Sequence, residues 1–105
     1  MERTLPTIAV IGGTGAEGSA IALRLGHAGY HVIIGTRNPA KGARIVAELN
    51  ETLGTKVLAF AENISAAQTA AIVIMTVPYN AQTAMIEELR SALENKILIL
   101  SLIHI

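Results

Sequence analysis

What most constrains this chain is a regular alternation in which apolar runs of strand length take turns with longer stretches of helical period, from Thr7 to Leu100. Thr7 to Ile11 is continuously apolar, the pattern of a strand buried on both faces, and it stops at Gly12 and Gly13. A helix is predicted from about Gly15 to Ala28, with Ile21, Leu23 and Leu25 toward the sheet and Gly29 as its stop. His31 to Gly35 is the second strand. Asn38 followed by Pro39 opens a second helix, because Asn caps well and Pro suits the first helical position. That helix presents Ile45, Val46, Leu49 and Leu53 on one side and ends at Gly54. Val57 to Phe60 is a third strand, Asn63 or Ser65 caps a brief helix through Ala70, and Ala71 to Val77 is a fourth strand closed by Pro78. Asn80 to Glu94 is an amphipathic helix with Ala84, Met85, Leu89 and Leu93 inward, and Ile97 to Leu100 begins a fifth strand.

Such alternation predicts an α/β architecture with a parallel sheet, since right-handed crossovers place the helices on both faces. A doubly wound sheet of about five strands in the order 3-2-1-4-5 is expected, with a ligand crevice where strands 1 and 4 diverge. At 105 residues the chain has the length of a single domain, residues 1–105. Apolar residues make up 51% and aromatics only 3%, so Ala, Ile, Leu and Val must fill the core. Eight Lys and Arg balance eight Glu, and this zero net charge lacks the basic excess that nucleic-acid binding requires. Cys is absent, which excludes disulfides, thiolate nucleophiles and Cys-based metal sites. No run reaches the ~18 apolar residues of a membrane helix. The first ten residues, with Glu2, Arg3 and Pro6, lack the layout of a signal peptide, so a cytoplasmic location is expected.

The strongest local signal is Ile11-Gly12-Gly13-Thr14-Gly15-Ala16-Glu17-Gly18, between a predicted strand and a predicted helix. Gly13 would make the tight turn, Gly15 would let backbone approach a pyrophosphate, and Gly18 would let helix and strand pack closely. The N–H groups at the helix start, with the positive end of its dipole, would then face the phosphates. The same residues also fit Gly12-x-x-Gly15-x-x-Gly18, typical of short-chain reductases, and the loop alone does not choose between the two spacings. Glu17 reads as a solvated residue favoured by the dipole.

In this fold an acid at the end of strand 2 accepts the adenosine ribose hydroxyls and selects NAD. Here the strand ends Gly35-Thr36-Arg37-Asn38, and the whole chain contains no Asp. A hydroxyl beside a guanidinium suits a 2′-phosphate, and Lys41 adds a second positive charge one helical turn on. NADP(H) is therefore the expected cofactor. Strand 4 ends in Met75-Thr76-Val77-Pro78-Tyr79-Asn80-Ala81-Gln82, which would border the nicotinamide side. Pro78 fixes the chain as it turns, Val77 and Ala81 offer backbone or apolar contact, and Tyr79 reads equally well as a packing ring. No metal cluster or nucleophilic triad can be assembled. His27 and His31 flank the turn at the opposite end, His104 lies near the terminus, and no side chain stands out as a proton donor or acceptor. Hydride transfer asks little of protein side chains beyond holding two partners together.

In three segments taken in order, the chain resembles the N-terminal domain of the NADPH:F420 oxidoreductases. Ala9-Val10-Ile11-Gly12-Gly13-Thr14-Gly15 is similar to that family's opening strand and loop. Ile34-Gly35-Thr36-Arg37 is similar to its second strand ending, usually Gly-Ser-Arg, and Ile74-Met75-Thr76-Val77-Pro78 to its fourth. The resemblance implies a Rossmann-like fold and reversible hydride transfer between NADP(H) and the deazaflavin coenzyme F420. It implies that Thr14, Gly15, Ala16 and Glu17 line the pyrophosphate, that Thr36, Arg37 and Lys41 hold the 2′-phosphate, and that Val77 and Ala81 border the nicotinamide. Ala81 departs from members that carry a His there, so no side-chain role passes to it. The Gly-Thr-Arg-Asn-Pro segment is also similar to the NADPH-binding part of membrane ferric reductases.

Family members continue strand 5 into a Pro-containing turn and a further region that helps bind the deazaflavin and form a dimer, whereas this chain ends Ser101-Leu102-Ile103-His104-Ile105. The expectation is a shortened or stand-alone cofactor module that associates through the bare strand-5 edge. Three functional readings stay open: an F420-dependent NADP oxidoreductase, an NADP-binding module without turnover, and a short-chain reductase. The last wants a Tyr-x-x-x-Lys pair, yet Tyr30 is followed four places on by Ile34 and Tyr79 by Thr83.

Overall fold

Ile8, Ala9, Val10 and Ile11 are all buried, as a central strand covered on both faces requires. They form β1 (Ile8–Ile11) of a single parallel sheet with β2 (Val32–Thr36), β3 (Leu58–Glu62), β4 (Ile72–Met75) and β5 (Ile97–Leu100). The strand order is β3-β2-β1-β4-β5, as the alternation predicts. This computed structural model describes residues 5–12 and 14–100. Four helices, α1 (Ala16–His27), α2 (Pro39–Leu53), α3 (Asn63–Thr69) and α4 (Tyr79–Leu89), make the crossovers.

Side chains along a strand alternate between faces, and that alternation builds two cores. Val10, Val32, Ile34 and Leu58 point to one face, where Ala22, Ile21 and Leu25 of α1 and Ile45, Val46, Leu49 and Leu53 of α2 cover them. Ala9, Ile11, Val73 and Met75 point to the other, against Ala66 and Ala67 of α3 and Met85 and Leu89 of α4. Asn38 caps α2 by accepting from the Lys41 N–H at 3.1 Å, and Gly54 ends that helix in the left-handed conformation. The Asn50 side chain fastens α2 to the start of β3, accepting from the Leu58 N–H at 3.1 Å and donating to the Leu58 carbonyl at 2.9 Å.

Four local expectations are corrected. On α1, Ile21 and Leu25 pack half-buried against the sheet as expected, but the fully buried residues are Gly18, Ala22 and Gly26, and Leu23 stays half-buried outside that core. A Cβ on Gly26 would come within 2.9 Å of Leu53 Cδ1. Neither Asn63 nor Ser65 caps α3: Glu62 holds that position and makes no side-chain cap bond. β3 starts at Leu58 and runs on to Glu62, following its register with β2, in which Thr36 pairs with Glu62. The last predicted helix divides into α4 and a 3-10 turn at Arg90–Leu93, and Ala84 is exposed instead of inward. Among the described residues no helix is long and apolar enough to cross a membrane. The expected continuation of strand 5 past Leu100, with His104, lies outside the described residues.

Candidate functional site

The ends of β1 and β4 are pinned together where their chains leave the sheet. The Ile11 carbonyl accepts from the Thr76 N–H at 2.9 Å and from Thr76 Oγ1 at 2.7 Å. Gly12 follows with φ +80°, its N–H donating to the Gly35 carbonyl at 3.2 Å. A Cβ on Gly12 would stand 3.1 Å from both Thr76 Oγ1 and Val77 Cγ1, so backbone conformation and space both call for glycine. The left-handed turn thus falls at Gly12, and Gly13 lies outside the described residues.

Gly15 is a different case. Its φ of −76° is open to any residue, and among the described residues a Cβ there would meet only the Gly12 carbonyl oxygen, at 3.6 Å. Nothing described in the chain itself requires glycine at this point, whereas a group approaching the backbone from outside would. Gly15 is the N-cap of α1, so Ala16, Glu17 and Gly18 form the first turn of that helix, at the positive end of its dipole.

At the end of β2, Thr36 is 5% exposed, and its hydroxyl accepts from the Asn38 N–H at 3.0 Å and donates to the Asn38 carbonyl at 3.2 Å. This tight local turn leaves Arg37 outside the sheet, its side chain 71% exposed. Arg37 Nη2 donates to Glu88 Oε2 on α4 at 2.8 Å, a pairing across 51 residues that no local pattern announces. No carboxylate follows β2 in the position that an NAD site uses.

These elements enclose a cleft of about 420 Å³. Gly12 and Thr14 line it from the first loop, Gly35, Thr36 and Arg37 from β2, and Val77 and Pro78 from the end of β4. Ala81, Ala84 and Met85 form its α4 wall, and Asn63 completes it. A second cavity of about 380 Å³ meets it at Thr36, Arg37 and Asn63 and is bounded beyond by Glu62, Ile64 and Glu88.

Of the residues singled out from sequence, Thr14, Thr36, Arg37, Val77, Pro78 and Ala81 come together here. Gly15, Ala16, Glu17 and Gly18 form the adjoining loop and helix start. Lys41 is exposed on the first turn of α2 and does not line either cavity. Gly35, Asn63, Ala84, Met85 and Glu88 were not anticipated. Only Gly35 was legible in part, as a glycine inside a strand: a Cβ there would stand 2.7 Å from Asn63 Oδ1 and 2.8 Å from Ile11 Cδ1, so it marks a close approach. Asn63 is 8% exposed, and its Oδ1 is buried with no hydrogen-bond partner.

A parallel 3-2-1-4-5 sheet, with a glycine turn feeding a helix start beside the point where β1 and β4 part, defines the Rossmann-like class of nucleotide-binding folds. Within that class the chain belongs to the family of coenzyme F420-dependent NADP oxidoreductases, whose profile matches residues 7–102. It is 44% identical over 95 residues to the F420-dependent NADP reductase of Methanothermobacter marburgensis, covering 88% of this chain and 42% of that protein. With the enzyme of the same name from Methanothermobacter thermautotrophicus it shares 39% over 94 residues, 88% of this chain and 40% of the relative. A solved Arthrobacter structure described as an F420-dependent NADP-reductase superposes with a TM-score of 0.72 at 27% identity, over 91% of this chain and 45% of that one. The chain therefore spans under half the length of the relatives it matches.

Proposed function

We propose that this chain is the NADP(H)-binding part of an oxidoreductase that moves a hydride reversibly between NADP(H) and coenzyme F420. The observation that carries the cofactor half of this reading is Arg37, exposed at the end of β2 where an NAD site would present a carboxylate. Membership of the F420-dependent family supports the acceptor half. The open side of Gly15 and the orphaned Asn63 oxygen are both features that a bound nucleotide would complete.

Thr14, Gly15, Ala16 and Glu17 would line the pyrophosphate with backbone groups at the start of α1, with the helix dipole adding to the attraction. Gly13 belongs to the same loop, and Gly18 allows α1 to lie close to the sheet. Arg37 would grip the 2′-phosphate with its fork of donors, Thr36 would shape the turn that presents it, and Lys41 would add a mobile charge. Val77, Pro78 and Ala81 would form the apolar wall against the nicotinamide. When bound, the nicotinamide supplies or receives the hydride; the protein's part is to hold it and exclude water, with no side chain moving a proton. A cytoplasmic location and self-association through β5 belong to the same reading.

Titration with NADPH and NADH, followed by a hydride-transfer assay with F420, tests it. Arg37→Ala should weaken NADPH by about 1.5–3 kcal/mol, the scale of a charge-assisted hydrogen bond, while barely changing NADH. Equal affinity of the unaltered chain for both nucleotides would remove the case for NADP. Tight NADPH binding without turnover would instead favour a binding module.

A further inference from the structure

We infer that Asn63 is a nucleotide-binding residue whose side-chain oxygen accepts the 3′-hydroxyl of the adenosine ribose, a role that rests on the NADP reading above. A buried acceptor left without a donor is uncommon, because nothing replaces the water it gave up on folding. Asn63 Oδ1 is such an acceptor, on a residue more than nine-tenths buried, and the residue lines both cavities where they meet.

Its placement follows from the sheet. Thr36 pairs with Glu62 across β2 and β3, so Asn63, one residue on, stands level with the Thr36-Arg37 turn. Gly35 makes the close approach possible, since any side chain there would strike the Asn63 amide.

The chemistry narrows the partner. Phosphate oxygens at neutral pH are acceptors and cannot satisfy another acceptor; a donor is needed. With the 2′ position phosphorylated, the adenosine half offers only the ribose 3′-hydroxyl and the purine amino group as neutral donors. The 3′-hydroxyl sits on the carbon next to the phosphate that Arg37 would hold, so it arrives with that phosphate. The residue that usually takes ribose hydroxyls is a carboxylate at the end of β2. Here Thr36 and Arg37 occupy that end, and the Thr36 hydroxyl is engaged with Asn38. The acceptor is supplied from the neighbouring strand instead.

The test uses 2′,5′-ADP, which carries the adenosine, its 2′-phosphate and no nicotinamide, and its 3′-deoxy counterpart. The unaltered chain should bind the deoxy compound about three- to tenfold more weakly, the range of one neutral hydrogen bond. In Asn63→Ala, and in the similarly sized Asn63→Leu, the two compounds should bind alike. Loss of that discrimination is something a merely structural asparagine would not produce. Equal binding of the two compounds by the unaltered chain overturns the inference even if neither variant folds, as does discrimination that persists in the variants. Failure of the unaltered chain to bind either compound or NADPH would instead overturn the NADP reading, and this inference with it.

Discussion

Gly35 shows how one residue can set the distance between two elements. It is buried on β2, and a methyl group there would press on Ile11 Cδ1 at 2.8 Å and on the Asn63 amide at 2.7 Å. Gly35→Ala should therefore destabilise the chain by about 1–3 kcal/mol, the usual cost of overfilling a packed site, read as a lower midpoint in urea. If the midpoint is unchanged, α3 moves away from β2 at little cost. Gly15 is the converse. A Cβ at that position finds space among the described residues, so Gly15→Ala should leave the stability read from urea unfolding within about 0.5 kcal/mol of the unaltered chain. Its cost should fall on NADPH affinity.

At the scale of elements, α4 does more than cross from β4 to β5. It lays Ala81, Ala84 and Met85 along the cleft and carries Glu88 far enough to pair with Arg37. The partners are 71% and 45% exposed, so the pair is worth no more than about 1 kcal/mol and readily gives way to a better anion. It nevertheless sets a carboxylate beside the proposed 2′-phosphate position. Glu88→Gln should tighten NADPH binding by about two- to fivefold and leave NADH unchanged, and the gain should fade near 1 M salt. An equal gain for both nucleotides in calorimetric titration would show that Glu88 acts on something other than the 2′-phosphate. The amphipathic pattern identified the helix, but it was silent on the break at Arg90. It also assigned Ala84 inward, because an alanine is compatible with either a core or a cleft wall.

The whole molecule is unevenly covered. α1 and α2 pack over one face of β1, β2 and β3, whereas on β5 Ile97 is 61% exposed and Ile99 48%. In register beside them, Ile72 and Ile74 of β4 are half-buried. Among the described residues β5 also stands last in the strand order, with no strand paired to its outer edge. An apolar face joined to an open edge favours pairing between chains. Light scattering should show a mass that rises with concentration, and Ile99→Lys should hold the chain nearer to a single copy. A monomer at every concentration would argue against association through β5.

Signals along the chain were enough to mark the strands and helices of a parallel α/β sheet, the loop between β1 and α1, and Arg37 in place of a carboxylate. These follow from periodicity, glycine spacing and residue type, all of them local. Only the packed molecule shows that Glu88 meets Arg37, that Gly18, Ala22 and Gly26 are the residues α1 buries fully, and that Asn63 is buried beside Gly35 with an unmet oxygen. Each of these depends on how close two elements come, and packing distance is set by side chains distant in the chain, which no window of sequence contains.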